Sequence, residues 1–321
     1  MATLNAIACA SNTGNTGIQQ CFLDFKFIQG AILAPKGYQF DVTALQTNLA
    51  SGLYNSSRAA RLYPIYDFEA PKDGSETKVV QSMSTGQKHV VREGYNQWGF
   101  QYVQGGLSLH KNLRLFNGSN WDFFFIDNDA QGQKIMGIQG TTSTKLKAIP
   151  SDGGYFWAEP WKLNDGSKIS EYMIEFVFKQ ALVNDNVAFA VANFDFPTTL
   201  PGLIDVILSS PGANATPGSF NVSVVSPLGT DIGALYATVL NSASLWTAVN
   251  HTSQASITPS SVTWVPSTTA GVPGYFTIAM PTTAPPYPTS GNVDINLTNA
   301  AALVAVGADI ESTGLVSIPK S

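Results

Sequence analysis

The sequence predicts a mainly β protein built as two unequal domains, and three observations carry that expectation. Large apolar residues recur at alternate positions through much of the chain, the period of a half-buried strand. Clusters of Gly, Pro, Asn, Asp and Ser separate those stretches as turns. A compositional step falls at Pro197-Thr-Thr-Leu-Pro201: residues 1–198 hold sixteen of the seventeen Lys and Arg, and only Lys320 lies beyond. Residues 199–321 carry five acids and that one base among many Ser, Thr, Pro and Gly, the surface of a separate module. At 321 residues the chain also sits near the length where single cores divide. The expected architecture is a β-sandwich or barrel with one flanking helix over 1–198, then a smaller β-sandwich over 199–321.

The helix is expected behind Asp41 or Thr43 as N-cap, because Leu45, Leu49 and Leu53 stand four apart, and it should run to about Ala60. Tyr63-Pro64 then resets the chain to extended structure, since the residue before proline avoids the helical region. Tyr95–Tyr102 places Trp98, Phe100 and Tyr102 on one sheet face. Gly105-Gly106 reads as a tight bulge in a strand, lacking the rest of a dinucleotide-binding fingerprint. Trp121–Ile126 is a solid apolar run, Asp127–Gly132 is turn chemistry and Lys134–Gln139 returns, which makes a hairpin. From Lys168 to Val183, Tyr172, Ile174, Phe176 and Phe178 alternate with Glu171, Glu175 and Lys179, a long strand with one wet face.

In the second domain, strands are expected at 202–208, 219–225, 261–265, 274–280, 292–297 and 314–318. Ile232, Leu235, Tyr236, Val239 and Leu240 follow helical spacing behind Thr230-Asp231. The pattern is that of an immunoglobulin-like β-sandwich with a helical insertion, without the paired cysteines of antibody domains.

Composition narrows the function classes. With 44% hydrophobic and 11% aromatic residues the chain has ample surface to bury. Charged residues are only 12%, about half the usual fraction, so the surface must be largely Ser, Thr, Asn, Gln and Gly, as in secreted or virion proteins. A net charge of −5 supplies no basic face for nucleic acid. No stretch approaches 18 uninterrupted apolar residues, and Met1-Ala2-Thr3-Leu4-Asn5 lacks a basic leader, so neither membrane insertion nor an ordinary secretion signal is expected. Cys9 and Cys21 are spaced to form one local disulfide, yet a disulfide scaffold would need more cysteines, and two reduced thiols are the expectation.

No enzyme, cofactor or metal site is expected. Asp127-Asn-Asp129-Ala-Gln131-Gly132 opens like a calcium loop, but its twelfth position is Ile138 instead of a bidentate Glu, and its flanks read as strands. His89, His110 and His251 lie far from the cysteines and from any Gly-x-Ser-x-Gly elbow. The carboxylate pairs Asp127/Asp129 and Glu171/Glu175 are only spacings until a cleft joins them. Tyr155-Phe156-Trp157-Ala-Glu-Pro160-Trp161 reads equally as core or as a subunit contact, a sugar-stacking platform being another use of such rings. The Asn-x-Ser/Thr sequons at Asn55, Asn117, Asn214, Asn221, Asn250 and Asn296 are what chance gives in a chain this rich in those residues.

Several segments carry a resemblance: Gly30-Ala-Ile-Leu-Ala-Pro-Lys-Gly37, Arg58-Ala-Ala-Arg-Leu-Tyr-Pro-Ile65, Val91-Arg-Glu-Gly94 leading into Gln101–His110, Asn117–Asp122 and Pro160–Gly166. Across residues 14–185 the first domain resembles virion structural proteins of tailed bacteriophages, and the second resembles the Ig-like domains appended to phage capsid and tail proteins. The resemblance implies a tail-tube-type subunit that joins copies of itself into a ring, expected to be hexameric, and meets other virion proteins. It implies assembly in the host cytoplasm and residence in the virion. A capsid decoration protein, or a glycan-binding adhesin using Trp246 and Trp264 of the second domain, is the alternative.

Overall fold

The computed structural model describes Leu4 and residues 28–319, apart from residues 93, 104–105, 119–120, 130–131, 164–165, 167–169, 180–185, 213–217 and 282–290. Strands take 47% of the chain against 16% helical, so the protein is mainly β, with several sheets and few helices. Two compact units divide it: Met1–Gly202 and Leu203–Ser321.

Thirteen described strands build unit one: β1 (Ile28–Pro35), β2 (Gln39–Asp41), β3 (Tyr63–Tyr66), β4 (Glu69–Asp73), β5 (Val79–Ser82), β6 (Lys88–Arg92), β7 (Tyr95–Tyr102), β8 (Trp121–Asp129), β9 (Gly132–Gln139), β10 (Lys145–Lys147), β11 (Ser151–Ala158), β12 (Tyr172–Lys179) and β13 (Val187–Val191). One sheet runs in the order β2-β10-β9-β8-β1-β3, with β13 added on β9; a second runs β11-β12-β7-β4; β5 and β6 form a two-stranded sheet. The first two sheets enclose one core, to which Phe123, Phe125 and Leu33 come from one side and Phe100, Phe156, Tyr172 and Phe176 from the other. Phe123 and Phe125 of β8 enter that core, with Trp121 packed against it. Even-numbered Phe124 and Ile126 enter a second core, on the opposite face of the larger sheet, under the helix α1 (Leu45–Leu53). The solid apolar run at 123–126 is therefore a strand buried on both faces.

Asp41 caps the turn that opens this helical region, accepting from Thr43 N at 2.9 Å, as its sequence position implies. Leu45, Leu49 and Leu53 are buried, each burial being worth roughly 1.5–3 kcal/mol. The helix stops at Leu53, short of Ala60. Asn55 folds its side-chain oxygen onto Ser57 N at 2.9 Å and its carbonyl onto Arg61 Nε at 2.8 Å, local bonds that compete with further helix.

The expectation of one flanking helix is corrected by α2 (Gly106–Arg114), which starts where a strand bulge at Gly105-Gly106 was read. Gly105 lies outside the described residues, and Gly106 adopts φ +59°. Leu109 and Leu113, four apart, pack into the two-sheet core, a helical spacing that the glycines mask in the sequence. A further short helix among the described residues, α3 (Phe196–Thr199), buries Phe196. Of the long strand expected over 168–183, the described part is β12. Residues 168–169 and 180–183 fall outside the described residues, as do Cys9, Cys21 and Asn214.

Unit two holds β14 (Ile204–Ser209), β15 (Ser219–Val225), the short helix α4 (Ala237–Leu240), β16 (Trp246–Asn250), β17 (Ser256–Ile257), β18 (Ser261–Val265), β19 (Tyr275–Ala279), β20 (Asn292–Leu297), α5 (Ala300–Ala305), β21 (Ile310–Ser312) and β22 (Val316–Pro319). Its sheets run β18-β19-β15-β14-β21 and β17-β16-β20-β22, with β14 and β21 parallel. Both feed one core, Phe220 and Phe276 from the first, Trp246 and Ile295 from the second. The helical insertion is shorter than its spacing predicts. Ile232 N and Gly233 N both donate to Val224 O, at 3.1 and 2.8 Å, which ties the start of that segment to β15 and leaves Leu235 71% exposed. The strands β16, β17 and β21 and the helix α5, which Asn299 caps through Ala302 N at 3.0 Å, are additions to the sequence-based reading.

Candidate assembly surfaces

In unit one the hairpin formed by β4 and β7 outgrows its sheet. Gly74 N donates to Gln97 O at 2.8 Å and Glu76 N to Tyr95 O at 2.9 Å, so the ladder continues past Asp73. It then becomes the β5–β6 ribbon, in which Val80 faces Val90 and Ser82 faces Lys88, closed by Met83 N donating to Gln87 O at 2.8 Å. Every residue of β5 and β6 is exposed. Five of the exposed side chains are apolar: Val79, Val80, Met83, Val90 and Val91, the last 61% exposed. At the root, Arg92 pairs with Glu76 at 2.5 Å. Gly94 is required there, since a Cβ would stand 1.8 Å from the Glu76 carbonyl oxygen. From Thr77 to Arg92 this arm carries Lys78, Lys88 and Arg92 and no acid.

The second surface is the solvent side of the four-stranded sheet. The aromatic segment at 155–161 splits by the period of the strand: Phe156 and Ala158 are fully buried, whereas Tyr155 and Trp157 are 37% and 40% exposed. Their rings lie 6.4 Å apart and within 22° of parallel. Trp157 stands opposite Glu175 in the β11–β12 register, and Tyr155 Oη donates to Glu175 Oε2 at 3.1 Å. Partial burial, with the Glu175 carboxylate second, pushes the Tyr155 phenol above its ordinary pKa and keeps it a donor. Glu171, on the same strand side as Glu175, accepts from Gln101 Nε2. The result is a sheet face on which two projecting aromatic rings stand beside Glu171 and Glu175, with exposed Lys72 in the same cross-strand row as Trp157 and Glu175.

The residues weighed for chemistry are scattered through the fold. His89 lies on the exposed arm, His110 is buried on α2 with Nε2 donating to Glu159 O at 2.8 Å, and His251 pairs with Asp294 in unit two at 2.9 Å. Asp127 is fully buried, in register with the equally buried Lys134. Asp129 pairs with Gly132 at the end of the hairpin, and Ala130 and Gln131 of the calcium-like loop lie outside the described residues. Among the described residues no group of three or more His, Cys, Asp or Glu could hold a metal ion. No described helix is long and apolar enough to cross a membrane. Trp246 is a core residue whose indole N–H donates to Leu240 O at 2.8 Å, and the half-buried Trp264 packs its ring 4.7 Å from that of Phe276.

The arm itself escaped sequence reasoning. Its signal was present: valine doublets at 79–80 and 90–91 with a polar or basic residue on either side, around the Ser-Thr-Gly turn at 84–86. Comparison with known protein families, with curated proteins and with solved structures finds no match to this chain.

Proposed function

We propose that this chain is a structural protein of a tailed-bacteriophage virion, a tail-tube-type subunit that assembles with copies of itself into rings or a tube. Its second unit is an Ig-like surface domain. The observation that carries the reading is the arm. A two-stranded ribbon is marginal in water unless something covers it, and five exposed apolar side chains along it gain by being covered. The small share of charged residues points the same way, because a surface of this kind is easily buried between subunits. Of the candidate residues, His110, Glu171, Glu175 and His251 are engaged with Glu159 O, Gln101, Tyr155 and Asp294, which favours a structural role for these four.

The full-length chain is purified and concentrated, then followed by sedimentation velocity and negative-stain microscopy. Rings, expected to be hexameric, or stacked tubes are the predicted outcome. A chain that stays monomeric at the highest attainable concentration overturns the reading.

A further inference from the structure

We propose that the arm of one copy docks on the solvent side of the four-stranded sheet of the next copy, its valines over Tyr155 and Trp157 and its Lys88 against Glu175. This rests on the self-assembly reading and names the two surfaces that would meet.

Charge selects the pair. From Thr77 to Arg92 the arm carries Lys78, Lys88 and Arg92 and no acid, in a chain whose net charge is −5, and of these Arg92 is paired with Glu76. The sheet face offers Glu171 and Glu175 beside two exposed rings, and its own Lys72, across Gly99 from Glu175, is the one described base in the Trp157 row. Lysine over such rings gains both the carboxylates and the aromatic faces, and valine gains apolar cover. The two surfaces supply what each other lacks.

The same copy cannot satisfy itself. The hydrogen bonds at Gly74 and Glu76 hold the arm in line with β4 and β7, so it leaves the sheet beyond Tyr95. Trp157 stands opposite Glu175, and Glu175 stands opposite Gly99. That row is four residues behind Tyr95, about 13 Å at strand rise, while each arm leg reaches roughly 25 Å the other way. Folding back would break the ladder at the root. The donor and acceptor are different surfaces, so passed head to tail from copy to copy the contact closes into a ring or grows as a filament. Exchanged reciprocally between two copies, the same contact would close a two-fold dimer, which sedimentation and microscopy tell apart from a ring.

The test is a charge exchange in the full-length chain, with circular dichroism and thermal melting confirming that each variant is folded. Lys88→Glu alone and Glu175→Lys alone are each expected to raise the concentration at which assemblies appear by at least tenfold. The double variant K88E/E175K is expected to restore it to within about threefold of the wild type. Trp157→Ser, which leaves both charges in place, should raise it at least tenfold as well. Single variants that assemble like the wild type overturn the docking while leaving self-assembly standing. So do single variants that fail with no rescue in the double. A wild type that never assembles removes the self-assembly reading and the docking with it.

Discussion

Two hairpins of unit one, β8–β9 and β5–β6, share antiparallel pairing and apolar side chains and differ in nearly everything that matters for stability. In β8 every side chain from Phe123 to Ile126 is buried, alternately in the two-sheet core and in the core under α1. In the arm no residue is buried on either face. The same strand geometry serves a foundation in one case and an unclaimed surface in the other. What separates them is the layer on each side: β8 lies between a second sheet and a helix, whereas among the described residues the arm pairs only with itself.

The contrast breaks most sharply at Phe125. Its ring packs 5.4 Å from that of Phe176 and 5.8 Å from that of Phe100, so Phe125→Ala leaves a cavity between the two sheets. The expected cost is about 3–5 kcal/mol, read as the loss of exchange protection of the β8 and β9 amides at a concentration where the chain is monomeric. A loss under about 1 kcal/mol would mean that the two-sheet core collapses around the gap, and the distinction between the hairpins would weaken.

Glycine substitutions sharpen the comparison at intermediate size. In β9 a Cβ on Gly137 would stand 2.4 Å from Lys147 O and 3.1 Å from the Phe124 ring, both held by buried neighbours. Gly137→Ala is expected to cost about 1–3 kcal/mol in the same exchange measurement, because the layers on each side prevent relaxation. At the arm root, Gly94 is itself buried and Gly94→Ala meets Glu76 O even more closely, yet the ribbon beyond it is exposed on every residue of its strands and can splay. Here the β8 amides should keep their protection and only the amides at Gly74 and Glu76 should lose theirs.

How much of this could be read from residues alone follows the same division. Buried alternation was legible: Phe100 and Tyr102 in β7, and Tyr172, Ile174, Phe176 and Phe178 in β12, lie inside as their period requires. The β8–β9 hairpin was legible because turn chemistry separates two apolar runs. The helix α2 was hidden behind its glycines, and the helix at 232–240 was overstated because backbone bonds to Val224 claimed its first turn. Trp246 looked like a surface ring and is a core one. Its only sequence sign was the alternation Trp246, Ala248, Asn250, all buried in β16. The arm was the least legible, since valines at 79–80 and 90–91 carry the same local preference for strand whether a core covers them or water does. Only tertiary placement tells the two cases apart.

The smallest expected effect bears on that point. Val80 and Val90 face each other across the arm at 40% and 54% exposure. Val80→Thr and Val90→Thr keep the branched β-carbon, and so the strand preference, while replacing a methyl group by a hydroxyl that water already solvates. In the monomer each should therefore shift stability by less than about 0.5 kcal/mol, with melting of the chain unchanged. A hydroxyl covered by another surface instead loses water without a partner, a penalty of about 1–3 kcal/mol that only the assembled state would register. Melting measured below and above the assembly concentration separates the two. If these substitutions destabilise the monomer by more than about 1 kcal/mol, the arm is already packed within its own chain, and the comparison with β8–β9 fails at its exposed end.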